Sequence, residues 1–135
     1  MKRYVLDANA LMALFEDRPG AEKVQELIAR AAETQNFLLM SVVNWGEVYY
    51  SYWRDRGEDV ANDRIRTIAQ LPIEVVDVDM EVTRLAASLK ARHKLPYADC
   101  FAAALATTRR AQLVTGDHDF RALDSSVQVH WLDSK

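Results

Sequence analysis

The chain has 135 residues, half of them hydrophobic and 27% charged, with a formal net charge of −3. These values fit one globular domain over residues 1–135 that buries a core of its own, and they exclude a disordered or low-complexity chain. The acidic balance argues against a plain basic footprint for nucleic acid, unless bound cations cancel a cluster of acids and leave the remaining surface more basic.

From the N-terminus, "RYVLDAN" (3–9) predicts a short buried strand closed by Asp7. "ALMALFED" (10–17) has a helical apolar pattern that Pro19-Gly20 stops. "AEKVQELIARAAE" (21–33) places Val24, Leu27, Ile28 and Ala31 on one face of an amphipathic helix. "FLLMS" (37–41) predicts a second strand. Helices follow over 42–56, ended by Gly57, and over 58–71, ended by Pro72. "IEVVDV" (73–78) predicts a third strand, and a helix over 80–94 follows with Asp79 as its cap. Pro96 precedes a helix over 97–110; "AQLVT" (111–115) and "VQVHWL" (127–132) predict the last two strands.

Strands alternating with helices predict an α/β fold: a single-domain α/β/α sandwich with a mainly parallel sheet of about five strands. Cys100, the single cysteine, excludes an intramolecular disulfide and suits a reducing compartment. Asp7 and Asn9 interrupt the apolar run that would follow Lys2 and Arg3 in a secretory leader. No apolar run approaches the ~20 residues of a membrane span. A cytoplasmic protein with no membrane partner is the expectation.

In parallel α/β sheets, ligands gather beyond the carboxyl ends of the strands, where strand order reverses. Asp7 and Asp117 both follow apolar strands at that end. If those strands are neighbours, both carboxylates enter one crevice. Glu47 lies early in the helix after the second strand, and Asp99 in the first turn of an otherwise apolar helix. Each acid has a competing structural duty: Asp7 as a helix cap, Glu47 on an exposed helix face, Asp99 as a partner of the helix dipole. Buried acids are rare unless paired or metal-bound.

Four segments in order, "YVLDAN", "SVVNWGEV", "LPYADC" and "LVTGDHDF", make the chain resemble the PIN-domain nucleases, and within them the VapC-type toxins of toxin–antitoxin pairs. The resemblance covers essentially the whole chain. It implies that Asp7, Glu47, Asp99 and Asp117 are the catalytic, metal-binding acids of an endoribonuclease. It also implies a homodimer, a small protein antitoxin and an RNA substrate. Ala8 departs from the pattern, where many relatives carry Thr or Ser, and removes a hydroxyl from beside the acids.

Clustered carboxylates repel unless a counter-ion relieves them. Mg2+ or Mn2+, hard cations that prefer oxygen, would relieve the repulsion and activate water for in-line attack on a phosphodiester. No Ser, Cys or His nucleophile is then required. Supporting roles fall to Asn9, as a helix cap or a support of the metal's water; to Thr115, for the metal's water or strand packing; and to Asp119. In "TGDHDF", Gly116 is read as free to turn tightly, Asp117 as the metal ligand, and Asp119 as the cap of "FRAL" or a support. His118, between the two aspartates, is expected to face solvent, and Cys100 to be a small buried hydrophobe.

The aromatic row Trp45, Tyr49, Tyr52 and Trp53 has helical spacing, so it is either core or, with Arg54 and Arg56 beside it, a partner surface. Arg18, Lys94, Arg109, Arg110 and Arg121 are either RNA contacts or a solvated face. Two rival readings stand: an aspartate-nucleophile phosphatase or dehalogenase, for which "DAN" lacks the second acid, and a non-catalytic PIN-like interaction module, in which acids should be missing.

Overall fold

The computed structural model describes residues 2–33, 36–123 and 126–133. Strands β1 (Arg3–Leu6), β2 (Phe37–Ser41), β3 (Ile73–Val76), β4 (Gln112–Thr115) and β5 (Val129–Trp131) form one sheet. Their order is β3-β2-β1-β4-β5, and every pairing is parallel. The chain steps outward from β1 to β2 and β3 on one side, and to β4 and β5 on the other. Strand order therefore reverses between β1 and β4, and Leu6 pairs with Val114 at the carboxyl end of both.

Both faces of the sheet are covered, as a parallel sheet requires. Alternation along each strand divides the core in two. Tyr4, Leu6, Leu38, Met40 and Val114 pack under α1 (Ala8–Phe15), α2 (Ala21–Glu33), α3 (Val42–Arg56) and α4 (Glu58–Gln70). Val5, Leu39, Val76 and Leu113 pack mainly under α5 (Met80–Arg92), α6 (Tyr97–Thr108) and a 3-10 helix over His118–Leu123. Helix α6 is the most buried, with every side chain from Asp99 to Ala106 withdrawn from solvent. Among the described residues no helix is long and apolar enough to cross a membrane.

Several boundaries differ from the sequence reading. The first strand stops at Leu6 rather than running to residue 9. Asp7 already accepts the Ala10 amide at 2.8 Å, so α1 starts at Ala8. The third strand ends at Val76, the helices after it end at Arg92 and Thr108, and the last strand keeps only Val129–Trp131. The residues shed are element ends, where apolar pattern continues but ladder or helical pairing does not.

Two glycines hold positive φ for different reasons. Gly57 (φ 96°) closes α3 and opens α4 in open surroundings. Gly20 (φ 97°) opens α2, and a Cβ there would sit 2.7 Å from Leu132 Cβ and 2.9 Å from the Leu132 carbonyl oxygen. This contact, with the Lys23 ammonium donating to the Trp131 carbonyl at 3.3 Å, clamps the C-terminal edge of the sheet onto α2. Gly57→Ala should cost about 1–3 kcal/mol from backbone strain alone, because φ 96° with ψ 164° is a region that only glycine enters readily. Gly20→Ala should cost about 1–3 kcal/mol more than Gly57→Ala, because overpacking adds to the strain. Chemical denaturation of the two variants side by side checks the order; equal losses would refute the clamp.

Candidate metal centre

The crevice at the reversal point opens where β1 and β4 release the chain. Asp7 follows β1 directly and is buried, 2% exposed. One carboxylate oxygen caps α1, and the Thr115 hydroxyl bonds the carboxylate as well. The parallel register that pairs Leu6 with Val114 brings Thr115 alongside Asp7. Ala8 thus leaves no gap in that respect, since the hydroxyl on Asp7 belongs to Thr115. The same Thr115 oxygen accepts the Asp117 amide at 2.9 Å, so one side chain ties both acids to the end of β4.

Asn9 is not a cap; Asp7 holds that position. From the first turn of α1, Asn9 reaches across the crevice and accepts the Gly116 amide at 2.8 Å. Gly116 is there for proximity rather than for a left-handed turn. Its φ is not among the positive values, while an added Cβ would stand 3.1 Å from Asn9 Oδ1.

Asp99 enters from the first turn of α6, whose position is set by Pro96 at the cap. It is buried at 9% exposure and lies near Asp117, Glu47 and Asp119, whose negative charges act on it. A surface acid stabilising a helix dipole would not be withdrawn in this way. Glu47 is half-buried on α3, not on an exposed face. The Asn44 amide nitrogen donates to Glu47 Oε1 at 2.9 Å and to the Ala98 carbonyl at 3.2 Å. Asn44 is fully buried, and the sequence reading missed it. The signal was available: an amide three residues before Glu47 lies on the same helical face.

Among the described residues, Asp99, Asp117 and Asp119 form one group, each offering a carboxylate oxygen within 4.8 Å of the others. This corrects the reading of Asp119 as a helix cap. Asp119 lies inside the 3-10 helix, and the capping contact runs the other way: Asp117 Oδ1 accepts the Asp119 amide at 3.0 Å. Hard oxygen donors converging from α6 and from the segment after β4 suit a divalent cation. His118 turns away and is exposed, with Nε2 3.2 Å from Asp133 and its ring edge-on to Trp131. Cys100 is fully buried among apolar groups.

The basic residues divide by position. Arg109 and Arg110 follow the last turn of α6, roughly 15 Å along the helix from Asp99. They belong to the opposite end of the sheet. Arg121 lies in the 3-10 helix beyond Asp119, its guanidinium over the Trp131 ring at 5.7 Å. Lys94 is exposed two residues before Pro96, and Arg18 is exposed between α1 and α2. In the aromatic row, Tyr52 separates from the others: it is buried and donates to Glu16 at 2.8 Å. Trp45, Tyr49 and Trp53 stack along α3 with successive centroids 5.5 Å apart, and Trp53 is 45% exposed.

The sequence model of the PIN domain family matches residues 4–126. The chain belongs to the PIN-domain family. No curated protein matches it by sequence. Among solved structures, this PIN domain is similar to VapBC2 from Rickettsia felis, solved with a DNA fragment from its promoter (TM-score 0.75, 17% identity, 95% of this chain and 97% of that one). It is similar to VapBC-1 from nontypeable Haemophilus influenzae (0.73, 18%, 96% and 98%). It is also similar to VapC20 of Mycobacterium tuberculosis, described as a sarcin–ricin loop cleaving toxin (0.70, 16%, 88% and 93%). At these identities the likeness is one of fold.

Burial raises the Asp7 carboxyl to about 7, against the pull of Thr115 and the Ala10 amide, with Asp99 and Asp117 adding to it. Burial likewise raises Asp99 to about 7, helped by Asp117, Glu47 and Asp119. Both ionise near 3.8 when unfolded. Between about pH 4 and pH 7 the PIN domain holds protons that the unfolded chain has released, so its metal-free stability falls as pH rises through that window. In EDTA at pH 8, Asp99→Asn should therefore melt higher than wild type, by about 1–2 kcal/mol after allowance for water in the crevice. The gain should shrink towards pH 5. Thermal melts across pH check this; a variant less stable than wild type at pH 8 would refute it.

Proposed function

We propose that this PIN domain is a metal-dependent endoribonuclease, the toxin component of a type II toxin–antitoxin system. The observation that carries the reading is the convergence of Asp99, Asp117 and Asp119 within 4.8 Å at the sheet's reversal point, with Asp7 buried beside them and Glu47 acting on Asp99. Asp7, Glu47, Asp99 and Asp117 are the catalytic, metal-binding acids of this reading. Asp119 joins them on geometry, and Asn9 and Thr115 hold the ends of the crevice in place.

Mg2+ or Mn2+, when bound, would offset the clustered charge, activate water and stabilise charge on the scissile phosphate. Asp99, Asp117 and Asp119 supply oxygen donors from α6 and the loop after β4. Asp7 closes the floor of the crevice and keeps α1 seated. Asn9 and Thr115 fix the backbone at Gly116 and Asp117, so the donors keep their separation. Arg121, two residues past Asp119, and Lys94, five residues before Asp99, are exposed and suit phosphates of RNA. An aspartate nucleophile is disfavoured, because the Asp7 carboxylate is buried and already engaged by Ala10 and Thr115.

The nature of the structural neighbours supports the biological side. Two are VapBC proteins and one is a sarcin–ricin loop cleaving toxin. In this reading the chain works in the cytoplasm, forms a homodimer and is inhibited by a small antitoxin. Purified protein should cut RNA with Mg2+ or Mn2+ and stop in EDTA. Asp99→Asn, Asp117→Asn and Asp119→Asn should each lose about 100-fold or more in rate, beyond the loss typical of changes to supporting groups. Expression of the wild type should arrest growth, and Asp99→Asn should relieve the arrest at equal protein level. Undiminished cleavage in EDTA, with contaminating nuclease excluded, would overturn the reading.

The Trp45, Tyr49 and Trp53 face supports the assembly. Trp53 is exposed at the end of this row, with Trp45 and Tyr49 partly buried against the core beside it, and an exposed aromatic anchor of this kind suits an interface. Trp53→Ala should weaken dimerisation or antitoxin binding about tenfold or more while leaving the melting temperature nearly unchanged. Analytical ultracentrifugation and titration with antitoxin read the first quantity, and calorimetry the second. Lost stability with unaltered association would return the row to the core.

A further inference from the structure

Asn44 is fully buried on α3, and its side-chain Oδ1 has no hydrogen-bond partner among the described residues. Leaving a buried acceptor unpaired is unfavourable. An apolar residue of similar shape would avoid it. The reason for an amide must therefore lie in its nitrogen. Nδ2 spends both its hydrogens on oxygen acceptors: Glu47 Oε1 at 2.9 Å and the Ala98 carbonyl at 3.2 Å. The orientation is fixed by chemistry. A flipped amide would set Oδ1 against two oxygens that cannot donate.

Those two acceptors belong to different walls of the crevice. Glu47 lies one turn along α3, and Ala98 immediately precedes Asp99 in α6. The charge of Glu47 acts on Asp99. One NH2 group thus holds the α3 carboxylate and the α6 backbone at a set separation. Ser41 starts α3 by accepting the Val43 amide at 3.2 Å, so the first turn that carries Asn44 is itself anchored to the end of β2.

We propose that Asn44 is a positioning residue of the acidic crevice, whose bridge between Glu47 and the Ala98 carbonyl holds Glu47 opposite Asp99 and tightens divalent-cation binding there. The inference rests on the metal-centre reading above, and the test separates the two. Mn2+ binding to the full chain is measured by electron paramagnetic resonance, alongside the melting temperature in EDTA, for wild type, Asn44→Leu, Glu47→Gln and the double variant.

Asn44→Leu keeps the volume, discards the unpaired acceptor and removes the bridge. Its EDTA melting temperature should change little, since losing the unpaired acceptor offsets the donor lost to Glu47 Oε1 and the Ala98 carbonyl, while the Mn2+ dissociation constant rises about 10–100-fold. A purely structural amide would give the reverse: a lower melting temperature and unchanged Mn2+ affinity. In the Glu47→Gln background, Asn44→Leu should change the dissociation constant by no more than about twofold, because Asn44 acts through Glu47; independent, additive losses would overturn the proposal. If Asn44→Leu does not fold, Asn44→Ser is read in the same cycle, since its hydroxyl is too short to span both acceptors. Wild type that binds no Mn2+ overturns the metal reading and this inference together. Wild type that binds, with Asn44 variants that bind equally well, overturns this inference alone.

Discussion

Like charge held out of water at the reversal point of the sheet is the constraint on which the rest of the molecule depends. Asp7 and Asp99 are buried, and each lies within reach of further carboxylates. No fold accumulates such groups for stability, since burial and mutual repulsion both disfavour their ionised forms. The fold tolerates them because other interactions overdetermine their positions. Asp7 caps α1, Thr115 bonds Asp7 and receives the Asp117 amide, Asn9 holds Gly116, and Asp117 receives the Asp119 amide. Asp7, Asn9, Thr115 and Asp117 each do a structural job at the crevice as well.

This double duty explains the layout of the surrounding elements. A parallel sheet places every strand's carboxyl end on one side. Two neighbouring strands that lead away in opposite directions leave a gap between their connections. Here β1 and β4 make the gap, and α3 and α6 bring Glu47 and Asp99 to its walls. The small residues of α6 matter for the same reason. Ala102, Ala103, Ala104 and Ala106 are all buried, so the helix lies close against the sheet with Asp99 at its crevice end. The apolar mass of the protein serves to fix the ends of elements, and the chemistry sits on those ends.

Helix α3 carries two separate groups of side chains. Its first turns carry Asn44 and Glu47, and its outer face carries Trp45, Tyr49 and Trp53. At its far end, Glu16 gathers Tyr52 and Arg56, and Arg64 of α4 lies over the Tyr52 ring at 5.0 Å.

The sequence by itself determined the α/β alternation, the parallel sheet and the candidacy of Asp7, Glu47, Asp99 and Asp117. Apolar periodicity is a local property of the chain, and the four acids were set apart by four ordered segments that resemble the PIN-domain nucleases. Only the tertiary structure decided what lies beside what. The adjacency of β1 and β4 is a pairing between residues more than a hundred positions apart, which no local pattern encodes. The same holds for Asn9 and Gly116, which meet across that pairing. Of the two roles read for Asp119, cap of "FRAL" or support of the metal site, the cap is the one the structure removes; "DF" before an apolar turn satisfies the local rule for a cap. The actual cap is Asp117, chosen by how β4 leaves the sheet and by Thr115 holding its amide. Asn44 was passed over because a buried amide looks inert in a sequence. Its meaning appears only when α6 arrives with Ala98 and Asp99, since a hydrogen bond depends on position in space and not on distance along the chain.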